Sequence, residues 1–177
     1  FSAWASDRYT SESSFVVRSP HNQSSMSGLG ALLQNAGFSR AQDDTYTVRE
    51  YMSSRSALAT LEKSMPIRSF YESKGDIFSR FNGFGLFDTN EAFYQYYKNK
   101  VNIAFDAVSG ISTLSVESFD AGESQQINAA LLSRGEELIN KLNARARKDT
   151  ISQAEHNVAV AEERVKAAAE DMAVYRT

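Results

Sequence analysis

The chain has 177 residues, 42% of them hydrophobic and 23% charged, which suits one ordinary domain with an extension. A net charge of -3 leaves no basic footprint for nucleic acid and no polybasic membrane patch. The absence of cysteine excludes disulfides, thiolate metal sites and thiol catalysis together.

At the start, "FSAWASDRY" places Phe1 and Trp4 in front of a strand, and such aromatics often sit where a membrane helix meets water. Residues 1–8 are expected to be a membrane-edge segment, although no apolar run of about 18 residues or more occurs anywhere in the chain. "RYTSESSFVVRS" then reads as a strand with Tyr9, Phe15 and Val17 on one face at period two. "MSGLGALLQNAGF" reads as a short helix capped by Gly37. "DTYTVREYMSSRSALATLEKSM" reads as further helix, with Val48, Met52, Leu58 and Leu61 spaced for burial, until Pro66 ends it.

An aromatic stretch follows, "IFSRFNGFGLFDTNEAFYQYYKNK". "VNIAFDAVSGISTLSVESF" is then a hairpin: Val101, Ile103 and Phe105 alternate, Ser109 and Gly110 make the turn, and Leu114 and Val116 lie on the return strand. Strand, helices, two antiparallel strands and a long helix make an α+β fold, with a small antiparallel or mixed sheet packed by helices.

The last helix is capped by Asp120, with Glu123 in capping-box position. Unbroken to the end of the chain it would run roughly 85 Å at its rise per residue, although Gly135 offers a bend and Thr150 a fresh start. Ile127, Leu131, Leu138 and Leu142 centre on one direction, whereas Ile151, Val158, Val165 and Met172, with Ala154, Ala161 and Ala168 between them and Tyr175 beyond, centre on nearly the opposite one. The first half is expected to pack on the sheet. The second half, with small residues that admit a close backbone, is expected to pack against another helix.

Candidates for chemistry are few. His21 and His156 lie far apart without a metal-ligand companion, so neither metal nor cofactor is expected. "NGFGLF" has Gly83 and Gly85 but neither a third glycine nor a lysine, and no Gly-x-Ser-x-Gly elbow exists. The paired Glu136 and Glu137, like Glu162 and Glu163, read as solvated helix surface. The aromatic cluster is the one feature suited to a ligand, with Phe84, Phe87, Tyr96 and Tyr97 as candidates for a sugar or subunit contact; packing in the core is the alternative.

"YTSESSFVVRS", "DTYTVREYMSSRSALATLE", "VNIAFDAVSGISTLSVESFDA" and "ESQQINAALLSRGEELINKLNARARKD", in this order, resemble the capsule polysaccharide export inner-membrane proteins, a branch of the polysaccharide co-polymerase group. The resemblance implies a membrane helix at each end, a membrane-proximal periplasmic α+β domain over residues 9–143, and a helical hairpin whose first limb is the coiled-coil-like 144–177. It implies a ring-like homo-oligomer that is not an enzyme. Its expected partners are an inner-membrane ATP-driven exporter, an outer-membrane channel and the polysaccharide itself. A chain-length determinant for a polysaccharide polymerase shares the fold and is the sibling reading; a carbohydrate-binding module using the Phe and Tyr cluster is the reading of another class. On the family reading the abrupt end of the helix at Thr177 marks a missing hairpin partner.

Overall fold

The computed structural model describes residues 6–17, 44–85 and 88–174. The helix expected at "MSGLGALLQNAGF" lies outside them, as do Phe1 and Trp4. The fold is α+β: β1 (Tyr9–Phe15), α1 (44–52), α2 (Arg55–Ser64), α3 (Ile67–Ser73), α4 (Asn90–Lys100), β2 (Val101–Asp106), β3 (Ile111–Ser118) and α5 (Ala121–Val174). Two compact units divide the chain, Phe1–Ile139 and Asn140–Thr177.

The three strands form one antiparallel sheet in the order β1-β3-β2. Tyr9 pairs with Ser118 and Phe15 with Ser112 on one side of β3, and Val101 pairs with Val116 and Asp106 with Ile111 on the other. Alternation along β3 turns Ser112, Leu114, Val116 and Ser118 inward, all buried. The hairpin turns at Gly110, whose φ of +71° favours glycine, while the Asp106 carboxylate accepts from the Val108 N–H at 2.9 Å and the Ser109 hydroxyl at 2.7 Å. Phe105, expected inside with Val101, is only half-buried and lies under the Arg49 guanidinium, 5.6 Å from the ring centre. It is near the far end of β2, close to the hairpin turn.

"DTYTVREYMSSRSALATLEKSM" forms two helices rather than one. Ser54 takes extended backbone angles and its hydroxyl accepts from the Ala57 N–H, capping α2, so the serine pair breaks the run. The burial stripe survives the break, with Val48, Met52, Leu58 and Leu61 at 5% exposure or less. Pro66 separates α2 from α3, which buries Ile67 and Tyr71, and Thr89 caps α4, which buries Phe93 and Tyr97.

Three tyrosine hydroxyls lock these helices by donating to main-chain carbonyls: Tyr71 to Glu117 at 2.8 Å, Tyr97 to Met52 at 2.6 Å and Tyr94 to Ser53 at 3.1 Å. Burial holds the phenols of Tyr71 and Tyr97 far above their usual range, so both remain protonated donors.

The start of α5 is capped by Asp120, which accepts from the Gly122 and Glu123 N–H groups at 2.8 and 3.2 Å. Ile127 and Leu131 are fully buried, and between them Asn128 crosses β1 where the small Ser11 and Ser13 leave room. Its amide donates to the carbonyls of Ser11 and Leu114 at 2.8 and 3.3 Å and accepts from the Ser13 hydroxyl, a buried polar node tying helix to sheet. Gly135 does not interrupt α5. It is buried where α1 meets the helix, and a β-carbon there would collide with the Met52 methyl group. Thr150 does not begin a new helix either, because its hydroxyl bonds back to the Ala146 carbonyl at 2.8 Å inside the continuous one.

Gly75 gives a stability prediction. Its φ is +91°, and a β-carbon would lie 2.7 to 2.9 Å from three atoms of the Phe119 ring. Gly75→Ala adds backbone strain to overpacking, so we expect a loss of about 2 to 4 kcal/mol in urea denaturation; a loss under about 0.5 kcal/mol, the ordinary surface range, would show that the turn relaxes freely.

Candidate functional site

Two surfaces carry the residues singled out in the sequence. The first is the unit Asn140–Thr177, helical as far as Val174, the last described residue. Ile151, Val158, Val165 and Met172 are 57 to 70% exposed, and Ala154, Ala161 and Ala168 between them are exposed as well. Four large apolar side chains at seven-residue spacing thus form a continuous uncovered stripe with gaps the size of a methyl group. Tyr175 lies outside the described residues. His156 is exposed on the same helix.

The second surface is the aromatic segment, and the fold sorts it sharply. Phe81, Phe93 and Tyr97 are buried at 4% exposure or less. Phe81 packs with Phe93 at 4.9 Å between ring centres, and the Arg68 guanidinium lies 4.8 Å from the centre of the Phe93 ring. Of the four residues considered for a sugar or subunit contact, Tyr97 is enclosed in the core. Tyr96 is half-buried with its hydroxyl donating to the Ser79 carbonyl at 2.8 Å, and Phe84 presents its ring to solvent. Phe87 lies outside the described residues.

Phe84 has a neighbour that sequence reading did not separate from the rest. Phe78, 82% exposed, meets it edge to face at 5.6 Å. The two are brought together by the turn after Asp76, whose carboxylate accepts from the Phe78 and Ser79 N–H groups at 3.0 and 2.9 Å. Aspartate two residues before Phe78 is the local signal for this turn.

Hydrogen bonds from the Ser79 side chain and from the N–H groups of Ser79, Phe78 and Ser6 lower the Asp76 pKa from 3.8 to about 2. The folded-state value is depressed, so the stabilisation is complete above the unfolded carboxylate range and is lost as the pH falls through the folded value. We therefore expect Asp76→Asn to flatten the acid limb of the stability curve between about pH 4 and pH 2, measured by denaturant titration at each pH. An unchanged acid limb would show that these bonds do not persist in solution.

Among the described residues no group of three or more His, Asp or Glu side chains is placed to hold a metal ion, and no helix is long and apolar enough to cross a membrane. The charged clusters are paired. Lys74 bridges Asp120 at 3.1 Å and Glu123 at 2.8 Å, and Lys100 and Arg8 both meet Glu117. The Lys74 hydrogen bond, with those from the helix N–H groups, holds the Asp120 carboxyl below its usual range.

No protein-family model matches the chain. It is 65% identical over 176 residues to the capsule polysaccharide export inner-membrane protein CtrB of Neisseria meningitidis serogroup B, covering 99% of this chain and 46% of that protein. It is 60% identical to the capsule polysaccharide export inner-membrane protein BexC of Haemophilus influenzae, covering 99% and 47%. With the capsule polysaccharide export inner-membrane protein KpsE of Escherichia coli it shares 29% over 170 residues, covering 96% and 44%. The chain spans about half the length of the curated relatives it matches. Identity at this level over nearly every residue makes the chain, for the segment it shares with them, a homologue of the capsule polysaccharide export inner-membrane proteins.

Proposed function

We propose that this chain is the periplasmic portion of a non-catalytic inner-membrane scaffold for capsular polysaccharide export. Residues 9–143 form its membrane-proximal domain and 144–177 one limb of an extended helical element. The parent protein is anchored in the inner membrane at both ends and assembles as a ring-like homo-oligomer. It couples an ATP-driven exporter to an outer-membrane channel so that the polymer crosses the periplasm. Identity of 65% and 60% across 99% of this chain to proteins named for capsule export carries the reading.

The uncovered stripe from Ile151 to Met172 supports it in physical terms. Apolar side chains at seven-residue spacing favour a second helix, and the alanines between them admit its backbone closely. In this proposal Ile151, Ala154, Val158, Ala161, Val165, Ala168, Met172 and Tyr175 form the helix-helix surface of the assembly.

The test uses the full-length protein in its native membrane. Deleting its gene is expected to abolish surface capsule while polymer accumulates inside the cell, and cross-linking is expected to capture the exporter and the outer-membrane channel. Normal surface capsule after deletion overturns the export reading. Capsule loss with polymer synthesis itself shortened, and no accumulation, favours chain-length control instead.

A further inference from the structure

The turn between α3 and α4 holds apolar side chains in water. Ile77, Phe78 and Phe84 are 44%, 82% and 60% exposed. A slack loop would tuck such residues under, but this one is constrained from several sides. The Phe81 ring is buried and its N–H donates to the Tyr71 carbonyl at 2.9 Å. Asp76 fixes the N–H groups of Phe78 and Ser79, and Tyr96 fixes the Ser79 carbonyl. Gly83 lies so close to the Ile77 carbonyl that any β-carbon would collide with it. Backbone held this firmly under exposed apolar residues marks a surface that meets a partner.

The surroundings indicate which partner. The Ser6 N–H donates to Asp76 at 3.5 Å and the Arg8 guanidinium donates to the Ser79 hydroxyl at 3.3 Å, so the stretch that follows Trp4 in the sequence runs beside the loop. Arg8 and Arg80 therefore both bond to the loop that carries the phenyl pair, and Arg80 makes its bond to a neutral group, the Gly83 carbonyl, at 3.3 Å. Of the nearby acids, Asp76 is engaged within the loop and Glu117 by Arg8 and Lys100, while Asp7 is exposed. Guanidiniums beside protruding apolar side chains match a phospholipid surface, with rings in the boundary between headgroups and acyl chains and cations on the phosphates.

We propose that Ile77, Phe78 and Phe84 form a membrane-surface contact that seats the unit Phe1–Ile139 on a phospholipid bilayer, with Arg8 and Arg80 on the headgroup phosphates. This deepens the inner-membrane reading above and rests on it for its place in the cell, but vesicle binding tests the loop independently of capsule export.

The test is co-sedimentation of the 177-residue chain with vesicles of phosphatidylethanolamine and phosphatidylglycerol. Phe78→Ser with Phe84→Ser is expected to lower the partition coefficient about tenfold or more, with an unchanged circular dichroism spectrum. Arg8→Gln with Arg80→Gln is expected to weaken binding at low salt and to matter less at high salt. Val108→Ser, on the hairpin turn where the side chain is 98% exposed, is expected to bind as the parent chain does. A second measurement does not depend on the serine pair folding. A tryptophan introduced by Phe78→Trp, in a Trp4→Phe background, is expected to be quenched by lipids brominated near the headgroup. Absence of vesicle binding, unaltered binding by the phenylalanine double variant, or absence of quenching overturns the proposal. So does self-association that depends on Phe78 and Phe84 in sedimentation velocity, which would make a second copy the occupant. If the loop binds vesicles while capsule forms without the full-length protein, the export reading falls and this one stands.

Discussion

Phe93→Ala is expected to destabilise the chain by about 3 to 5 kcal/mol, the range for removing a buried aromatic ring without full collapse of the space it leaves. Phe93 has no exposed surface and packs against Phe81 at 4.9 Å and Tyr71 at 6.5 Å between ring centres. The Arg68 guanidinium over its ring is itself bonded to Asp88 and Asn90 at 2.8 Å each, so the neighbours are pinned and have little freedom to close the cavity. Phe78→Ala, the same substitution fifteen residues earlier on an 82% exposed side chain, is expected to stay within about 0.5 kcal/mol. Urea denaturation of the two variants side by side measures the contrast. A cost below about 1 kcal/mol for Phe93→Ala would mean that α4 does not lie against the core as described.

Ala161→Leu with Ala168→Leu is expected to abolish assembly and capsule export in the full-length protein while leaving the 177-residue chain's melting temperature unchanged. Both alanines are exposed within the unit Asn140–Thr177, and on an exposed helix alanine and leucine differ little in propensity. Against a close second helix each leucine overpacks, at about 1 to 3 kcal/mol per site, and two sites together approach the energy of a weak helical contact. Cross-linking in membranes and surface capsule measured on whole cells read the two effects. Normal cross-linking and wild-type capsule in the double variant would show that no helix packs on this stripe, and would remove the main physical support for a helical assembly.

The two variants probe different kinds of information in the chain. Period-two alternation in Val101, Ile103 and Phe105, the Ser109-Gly110 turn and the three-four spacing of Val48, Met52, Leu58 and Leu61 could be read directly, because each depends on local geometry and on which side of an element is apolar. So could the apolar face of the first half of α5, where the fold buries Ile127 and Leu131. The α4 helix was hidden inside an aromatic run because phenylalanine and tyrosine at mixed spacing serve a helix, a strand or a loop equally well, and α3 falls in the stretch between Pro66 and that run to which sequence pattern assigns no element.

Local pattern also cannot say which aromatics are enclosed. Phe93 and Phe78 are chemically the same residue, and only the packing of α4 on α2 and the Asp76 turn puts one in the core and the other in water. Gly135 reads alone as a weak point in a helix; its purpose appears only when Met52, eighty-three residues earlier, occupies the space that a side chain would need. Asn128 is the same case in polar form, since its three bonds reach Ser11, Ser13 and Leu114 on two strands. Sequence by itself determined the period of the strands, the apolar faces of the regular helices and the kinship to the capsule export proteins, whereas tertiary structure alone decided which members of the aromatic run enter the core. Burial depends on contacts between residues distant in the chain, and these are set by how the elements dock rather than by the character of any one of them.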